Sequence, residues 1–77
     1  MNKLTLYTKP GCHLCDEMKQ VLNDLPGDIK IIIEEVNIET ETSLREKYKY
    51  KIPVLTLNGR VIAKYRTDRE RLIRILK

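Results

Sequence analysis

No stretch of this chain is apolar over anything close to the roughly 18 residues that a membrane-spanning helix requires. The 77 residues are 42% hydrophobic and 34% charged, the balance of an ordinary soluble globule. Without an internal repeat, a low-complexity segment or a linker, they are expected to form one domain over 1–77. The opening stretch MNKLTLYT alternates polar and apolar residues and lacks the small-residue cleavage site of a signal peptide, so a cytoplasmic location is the default expectation. Charge of one sign is not in great excess. Fifteen Lys and Arg face eleven Asp and Glu for a formal net charge of +4, which bears on solubility and encounter with anionic partners more than on fold. Neither a nucleic-acid nor a membrane partner is expected, and the chain is expected to be monomeric.

Cysteine and histidine are scarcer still. The two cysteines and the one histidine all lie within Lys9-Pro10-Gly11-Cys12-His13-Leu14-Cys15-Asp16. Small secreted scaffolds carry several widely spaced cysteines, because a cross-link stabilises more when it closes a longer loop. A bridge between Cys12 and Cys15 would close a tiny one and staple nothing. A redox pair or part of a metal site remains. Tetrahedral zinc takes four ligands, and Cys12, His13 and Cys15 exhaust the thiols and imidazoles. A metal-binding or metal-chaperone module would therefore need carboxylates, a second copy of the chain or an exogenous thiol, and it stands as the alternative from another functional class.

What is present is a regular succession of elements. Leu4 and Leu6 alternate with Lys3, Thr5 and Tyr7, which predicts a strand over 3–8, broken by Pro10-Gly11. Leu14, Met18, Val21, Leu22 and Leu25 recur at helical spacing. Cys15 falls on the inner edge of that stripe, Cys12 at the solvent-facing helix start, and Pro26-Gly27 is the stop. Residues 29–38, IKIIIEEVNI, predict a second strand, buried on both faces around Ile31 to Ile33 and parallel to the first. Ser43-Leu44-Arg45-Glu46 fits a capping box for a short helix through Tyr48, and Ile52-Pro53 ends that segment. Asn58-Gly59 joins strands over 54–57 and 60–65 as a hairpin. Thr67-Asp68-Arg69-Glu70 fits a second capping box, ahead of a last helix with Leu72, Ile75 and Leu76 on one face. The order is β-α-β-α-β-β-α, an α/β fold with a mixed four-stranded sheet and three helices, which is the thioredoxin-like arrangement.

On Leu6-Tyr7-Thr8-Lys9-Pro10-Gly11-Cys12-His13-Leu14-Cys15, on Ile52-Pro53-Val54 and on Asn58-Gly59, essentially the whole chain resembles the glutaredoxins and glutaredoxin-like small redoxins. A lone C-x-x-C is shared with zinc sites. One at a strand-to-helix turn, followed about forty residues later by an apolar-Pro-apolar strand start, is far more specific. The resemblance implies a thiol–disulfide oxidoreductase with a cis peptide bond before Pro53, no bound cofactor, disulfide-containing proteins as substrates and glutathione as a candidate reductant. It implies a substrate groove formed by Lys9, Ile52, Pro53, Val54, Thr67 and Asp68. Arg66 joins that set because it precedes a helix N-terminus, which favours anions. Where glutaredoxins carry a Gly-Gly pair, this chain has Lys64-Tyr65-Arg66. Tyr65-Arg66-Thr67-Asp68 instead looks like the aromatic-Arg-Pro-Asp run of small redoxins reduced by thioredoxin reductase, with Thr in place of Pro. A thioredoxin-reductase-type donor therefore stands beside glutathione, and glutathione binding weaker than a typical glutaredoxin's is expected.

Disulfide exchange needs an attacking thiolate and a second thiol that resolves the mixed disulfide. Cys12 is the expected nucleophile and Cys15, one turn inside, the expected resolving thiol. Helix N–H groups, the positive end of the helix dipole and Lys9 should all stabilise the Cys12 thiolate. The same helix end disfavours a cation at His13, which is left out of the catalytic pair. Lys47-Tyr48-Lys49-Tyr50-Lys51 interleaves basic and aromatic residues as a single-strand nucleic-acid surface does. Long side chains along a solvated helix end produce the same pattern, and Lys51 is the member expected to border the groove.

Overall fold

The computed structural model describes residues 2–76, so Met1 and Lys77, the two ends of the expected domain, lie outside the described residues. In β1 (Asn2–Thr8), buried Leu4, Leu6 and Thr8 alternate with partly exposed Thr5 and Tyr7, because a strand sends successive side chains to opposite faces. α1 (His13–Asn23) buries Cys15, Met18 and Leu22. There follow β2 (Ile31–Asn37), a 3₁₀ turn at Ile38–Thr40, α2 (Thr42–Tyr48), β3 (Val54–Leu57), β4 (Arg60–Lys64) and α3 (Arg69–Leu76). The expected order holds, with the 3₁₀ turn added. The strands lie in the order β2-β1-β3-β4; β1 runs parallel to β2 and antiparallel to β3, and β3 is antiparallel to β4.

The hairpin between β3 and β4 is fixed by its two turn residues. Asn58 and Gly59 adopt φ of 50° and 90°, the positive values at both central positions that a tight type I′ turn demands. The turn is also tied to the start of the central strand: the Asn58 amide donates to the Lys3 carbonyl at 2.8 Å, and the Lys3 amide donates to Asn58 Oδ1 at 3.0 Å.

Each sheet face has its own cluster. Leu4, Leu6, Leu55 and Ala63 meet Met18 and Leu22 of α1 and Leu72 of α3 on one face. On the other, Val54 packs with Ile38, Ile52, Cys15 of α1 and Tyr48 of α2, with Tyr7, Cys12 and Leu44 against them. The Tyr7 and Tyr48 rings stack there with centroids 4.7 Å apart. The second cluster therefore ties the end of β1, both cysteines and the approach to β3 into one body.

Several boundaries and burials depart from expectation. β2 is not buried on both faces: Ile32 and Ile33 are 52% and 43% exposed, since the sheet order places β2 at an edge. Its Glu34 and Glu35 put charge on that edge, which discourages pairing with another chain. α2 starts at Thr42, with Glu41 as a cap that makes no side-chain hydrogen bond, so Ser43 lies inside the helix instead of capping it. The capping interaction is made earlier, where Asn37 Oδ1 accepts the Glu39 amide at 2.9 Å and starts the 3₁₀ turn. At α3 the cap is one residue later than the expected Thr67: Asp68 Oδ1 accepts the Arg71 amide at 2.8 Å. β4 ends at Lys64 instead of residue 65.

Candidate redox site

The chain leaves β1 at Thr8 and turns through Lys9-Pro10-Gly11 before entering α1. Gly11 has φ of 77°, a value glycine adopts without the Cβ penalty other residues incur. Cys12 follows as the N-cap of α1, in extended conformation, and its Sγ accepts the Cys15 amide at 3.1 Å. A sulfur thus does what a serine or aspartate oxygen does at other helix starts, satisfying a free N–H of the first turn. The two sulfurs lie at disulfide distance, with Cα atoms 5.2 Å apart. Their surroundings differ. Cys12 is partly exposed, whereas Cys15 is 1% exposed.

The Ile52–Pro53 peptide bond is cis, as the resemblance implied. Pro53 is buried, and the residues on either side of it, Ile52 and Val54, pack in the same cluster as Cys12 and Cys15. Four expected site residues are therefore gathered at one place, with Pro53 between two of them. The rest are distributed differently. Lys9 lines a cleft of about 400 Å³ with Thr8, Gly11, Asp16, Lys19 and Glu35. Arg66 and Thr67 line another of about 250 Å³, against Glu17, Met18 and Val21 on a different flank of α1. Asp68 is engaged as the α3 cap. Thr67 Oγ1 is buried and has no hydrogen-bond partner among the described residues.

The cleft beside Lys9 contains a charged cluster that the sequence reading did not single out. Lys19 Nζ lies 2.6 Å from Glu35 Oε2 and 4.0 Å from Asp16 Oδ1, and the Thr8 hydroxyl donates to Glu35 Oε2 at 3.2 Å. The hydrogen bond to Glu35 raises the Lys19 pKa above its ordinary value, with burial working against it. The same contact lowers the Glu35 pKa, opposed by burial and helped by the Thr8 hydroxyl. Only the Asp16–Lys19 spacing of three was visible in the sequence; Glu35 arrives through β1–β2 pairing.

Tyr65 is the other residue missed. Its φ is 64°, and the Arg66 amide donates back across it to the Lys64 carbonyl at 2.6 Å. A bond from residue to residue-plus-two around a positive φ is the rarer, strained form of γ-turn. The Tyr65 amide donates to the Pro53 carbonyl at 2.9 Å, and its hydroxyl donates to the Tyr50 carbonyl at 3.3 Å. It straps the end of β4 to the loop before β3. The signal that could have found it was the tyrosine standing where the resembled proteins carry glycine.

Among the described residues, no three His, Cys, Asp or Glu side chains cluster so as to hold a metal, and no helix is long and apolar enough to cross a membrane. The model of the glutaredoxin-like domain family (DUF836) matches residues 3–77. The chain belongs to the glutaredoxin-like domain family. It is similar to the Dictyostelium discoideum glutaredoxin-like protein YDR286C homolog, 30% identical over 76 residues that cover 90% of this chain and 69% of that protein. A solved Nitrosomonas europaea protein is 29% identical with a TM-score of 0.83, covering 99% of this chain and 92% of that one. A solved X. campestris protein is 31% identical with a TM-score of 0.77, over 95% and 93% of the two chains. The glutaredoxin-like chain has the thioredoxin-like fold, and its cysteine pair supports a redox-type function.

Proposed function

We propose that this glutaredoxin-like protein is a dithiol thiol–disulfide oxidoreductase acting on disulfides of protein partners, with Cys12 as nucleophile and Cys15 as resolving thiol. The observation that carries the reading is the Cys15 amide held 3.1 Å from Cys12 Sγ at the N-cap of α1. A donor there stabilises the sulfur best when it is a thiolate, and the positive helix end adds to this. The partly exposed Cys12 can be reached by a partner; the buried Cys15 is reached by Cys12 alone.

The exchange balances in two steps. The Cys12 thiolate attacks one sulfur of the substrate disulfide, forming a mixed disulfide and releasing the other sulfur as a thiolate, which takes a proton from water. Cys15 then attacks Cys12 Sγ, its proton passing by way of water to the departing sulfur; the Cys12–Cys15 disulfide forms and the second substrate sulfur leaves as a thiol. Two electrons pass to the substrate, and an external thiol or reductase returns them to the protein. The capped Cys12 thus serves the first step, as the attacking thiolate, while the second step depends on the substrate sulfur as leaving group.

For the reductant, Tyr65 favours a dithiol or a thioredoxin-reductase-type donor over glutathione. The tyrosine and its bond to the Tyr50 carbonyl occupy the side of the site where Ile52-Pro53-Val54 and Thr67 would have to receive the tripeptide. Lys9 and Arg66 face different clefts, so they do not converge on one small anion.

The test is direct. The reduced protein should turn over hydroxyethyl disulfide, Cys12→Ser should abolish turnover, and Cys15→Ser should accumulate a mixed disulfide at Cys12, identified by mass spectrometry. Faster alkylation of Cys15 than of Cys12 in the reduced protein would reverse the roles. Turnover driven by thioredoxin reductase but not by glutathione and its reductase is the expected result for the donor, and the opposite result would reject that part of the reading.

A further inference from the structure

The chain's positive charge is concentrated. Residues 47–66 contain six Lys or Arg and no Asp or Glu, so the net +4 is a segment of +6 set on a remainder of −2. Folding wraps this segment around the sulfurs. Val54 pairs with Lys64 across β3 and β4, and Tyr65 bonds to the Pro53 and Tyr50 carbonyls at 2.9 and 3.3 Å. Residues 49–53 and 64–66 therefore lie side by side, while Ile52 and Val54 pack with Cys12 and Cys15. The opposite sheet edge, β2, carries Glu34 and Glu35, whereas β4 carries Arg60 and Lys64. The field across the sheet has a sign, and its positive end is the Pro53 side.

Among the described residues, the cations on that side have no ion-pair partner. The ion pairs among the described residues are Lys3–Glu34, Lys19–Asp16 and Lys19–Glu35, and none involves residues 47–66. Lys49 instead lies over the Tyr50 ring at 5.0 Å. Tyr50 is 81% exposed and Tyr65 45% exposed, and amphipathic aromatic rings beside unpaired cations are the composition of a protein-binding surface. Tyr65 sits there at the cost of a positive φ, and strain of that kind collects at functional sites.

We propose that the surface formed by Lys49, Tyr50, Lys51, Lys64 and Tyr65 docks an acidic polypeptide segment bearing the disulfide to be reduced. The proposal rests on the redox reading above and names the partner class of that site. A nucleic acid fits less well. The second aromatic of the Lys-Tyr run, Tyr48, is buried and stacked on Tyr7, so no ladder of stacking rings is offered to bases.

Two cystine peptides of equal length, one flanked by Glu and one by Gln, test this with the full-length reduced protein. The Glu-flanked peptide should be reduced about tenfold faster in kcat/KM at low ionic strength, with the advantage vanishing near 1 M salt. The variant Lys49→Gln/Lys64→Gln, changed only at exposed positions, should lose most of that advantage and keep its turnover of the neutral hydroxyethyl disulfide. Equal kcat/KM for the two peptides, or an advantage indifferent to salt, overturns the proposal. Loss of hydroxyethyl disulfide turnover in the unmodified protein rejects the redox reading separately. Docking is then decided by anisotropy of a labelled, alkylated Glu-flanked peptide on the oxidised protein: saturable binding supports the surface and its absence overturns it. Tighter binding of a single-stranded oligonucleotide, or self-association abolished by the same variant, assigns the surface to another partner and overturns it as well.

Discussion

A tyrosine at φ of 64° bears a backbone cost of roughly 1–2 kcal/mol that glycine does not. At Tyr65 three hydrogen bonds hold it there: its own amide to Pro53, its hydroxyl to Tyr50 and the Arg66 amide to Lys64. Comparing Tyr65→Gly with Tyr65→Ala isolates the backbone cost, because both lose the ring and its hydroxyl bond. Glycine recovers the φ penalty and loses part of the gain to unfolded-chain entropy, about 0.5–1 kcal/mol. Tyr65→Gly should therefore be the more stable variant by about 0.5–1 kcal/mol, reversing the usual order. Urea denaturation of the two decides it, and an alanine variant as stable as the glycine one would show that this backbone is not held at positive φ. The cysteines present the opposite situation. Cys12 and Cys15 could be assigned different exposure from spacing alone, because three residues on a helix that starts at Cys12 put one sulfur at the cap and the other on the buried stripe.

Among the elements, those specified by local chemistry were the most legible. Asn58-Gly59 fixes its hairpin through positive φ at both positions, and the Leu14-to-Leu22 stripe fixes the face of α1. β2 was misjudged because a run of isoleucines reads the same at a sheet's edge as at its centre; the sheet order, a long-range property, leaves Ile32 and Ile33 exposed. The caps were displaced for a related reason. Ser43, Thr67 and Asp68 are all competent caps by type, and only the backbone path decides which one meets a free amide. This gives a paired expectation at α3. Asp68→Ala should cost about 1 kcal/mol, since it removes the acceptor for the Arg71 amide. Thr67→Val should not destabilise, because the buried Thr67 hydroxyl has no partner among the described residues and replacing it removes a desolvated polar group. Chemical denaturation of both variants measures this; a larger loss for Thr67→Val than for Asp68→Ala would return the cap to Thr67.

At the scale of the whole molecule, the charge asymmetry makes the shortest ion pair among the described residues the natural probe of pH. Lys19 and Glu35 join α1 to the edge strand β2 at 2.6 Å, on the flank away from the cationic segment. The Glu35 pKa is lowered in the folded protein, so its contribution to stability is complete above the ordinary value of 4.5 and is lost as pH falls through the lower, folded value. The Lys19 pKa is raised from 10.5, so its contribution is complete below that value and is lost as pH rises through the higher, folded one. Between the two the contribution is flat. Both side chains are well exposed, at 40% and 47%, so solvent screening holds the pair to about 0.5–1 kcal/mol. Glu35→Gln keeps an acceptor for the Thr8 hydroxyl and removes the charge. It should lower Tm by a few degrees throughout the neutral range, and the difference from the unmodified protein should close as the pH drops below the carboxylate range. In that acid range protonation of the eleven Asp and Glu leaves the fifteen Lys and Arg unopposed, so both proteins should lose stability together through self-repulsion. The difference between them is therefore the quantity to follow by thermal denaturation from pH 3 to 8. A gap that persisted undiminished at the acid end would mean that Glu35 supports the fold through packing, and that charge pairing with Lys19 contributes nothing.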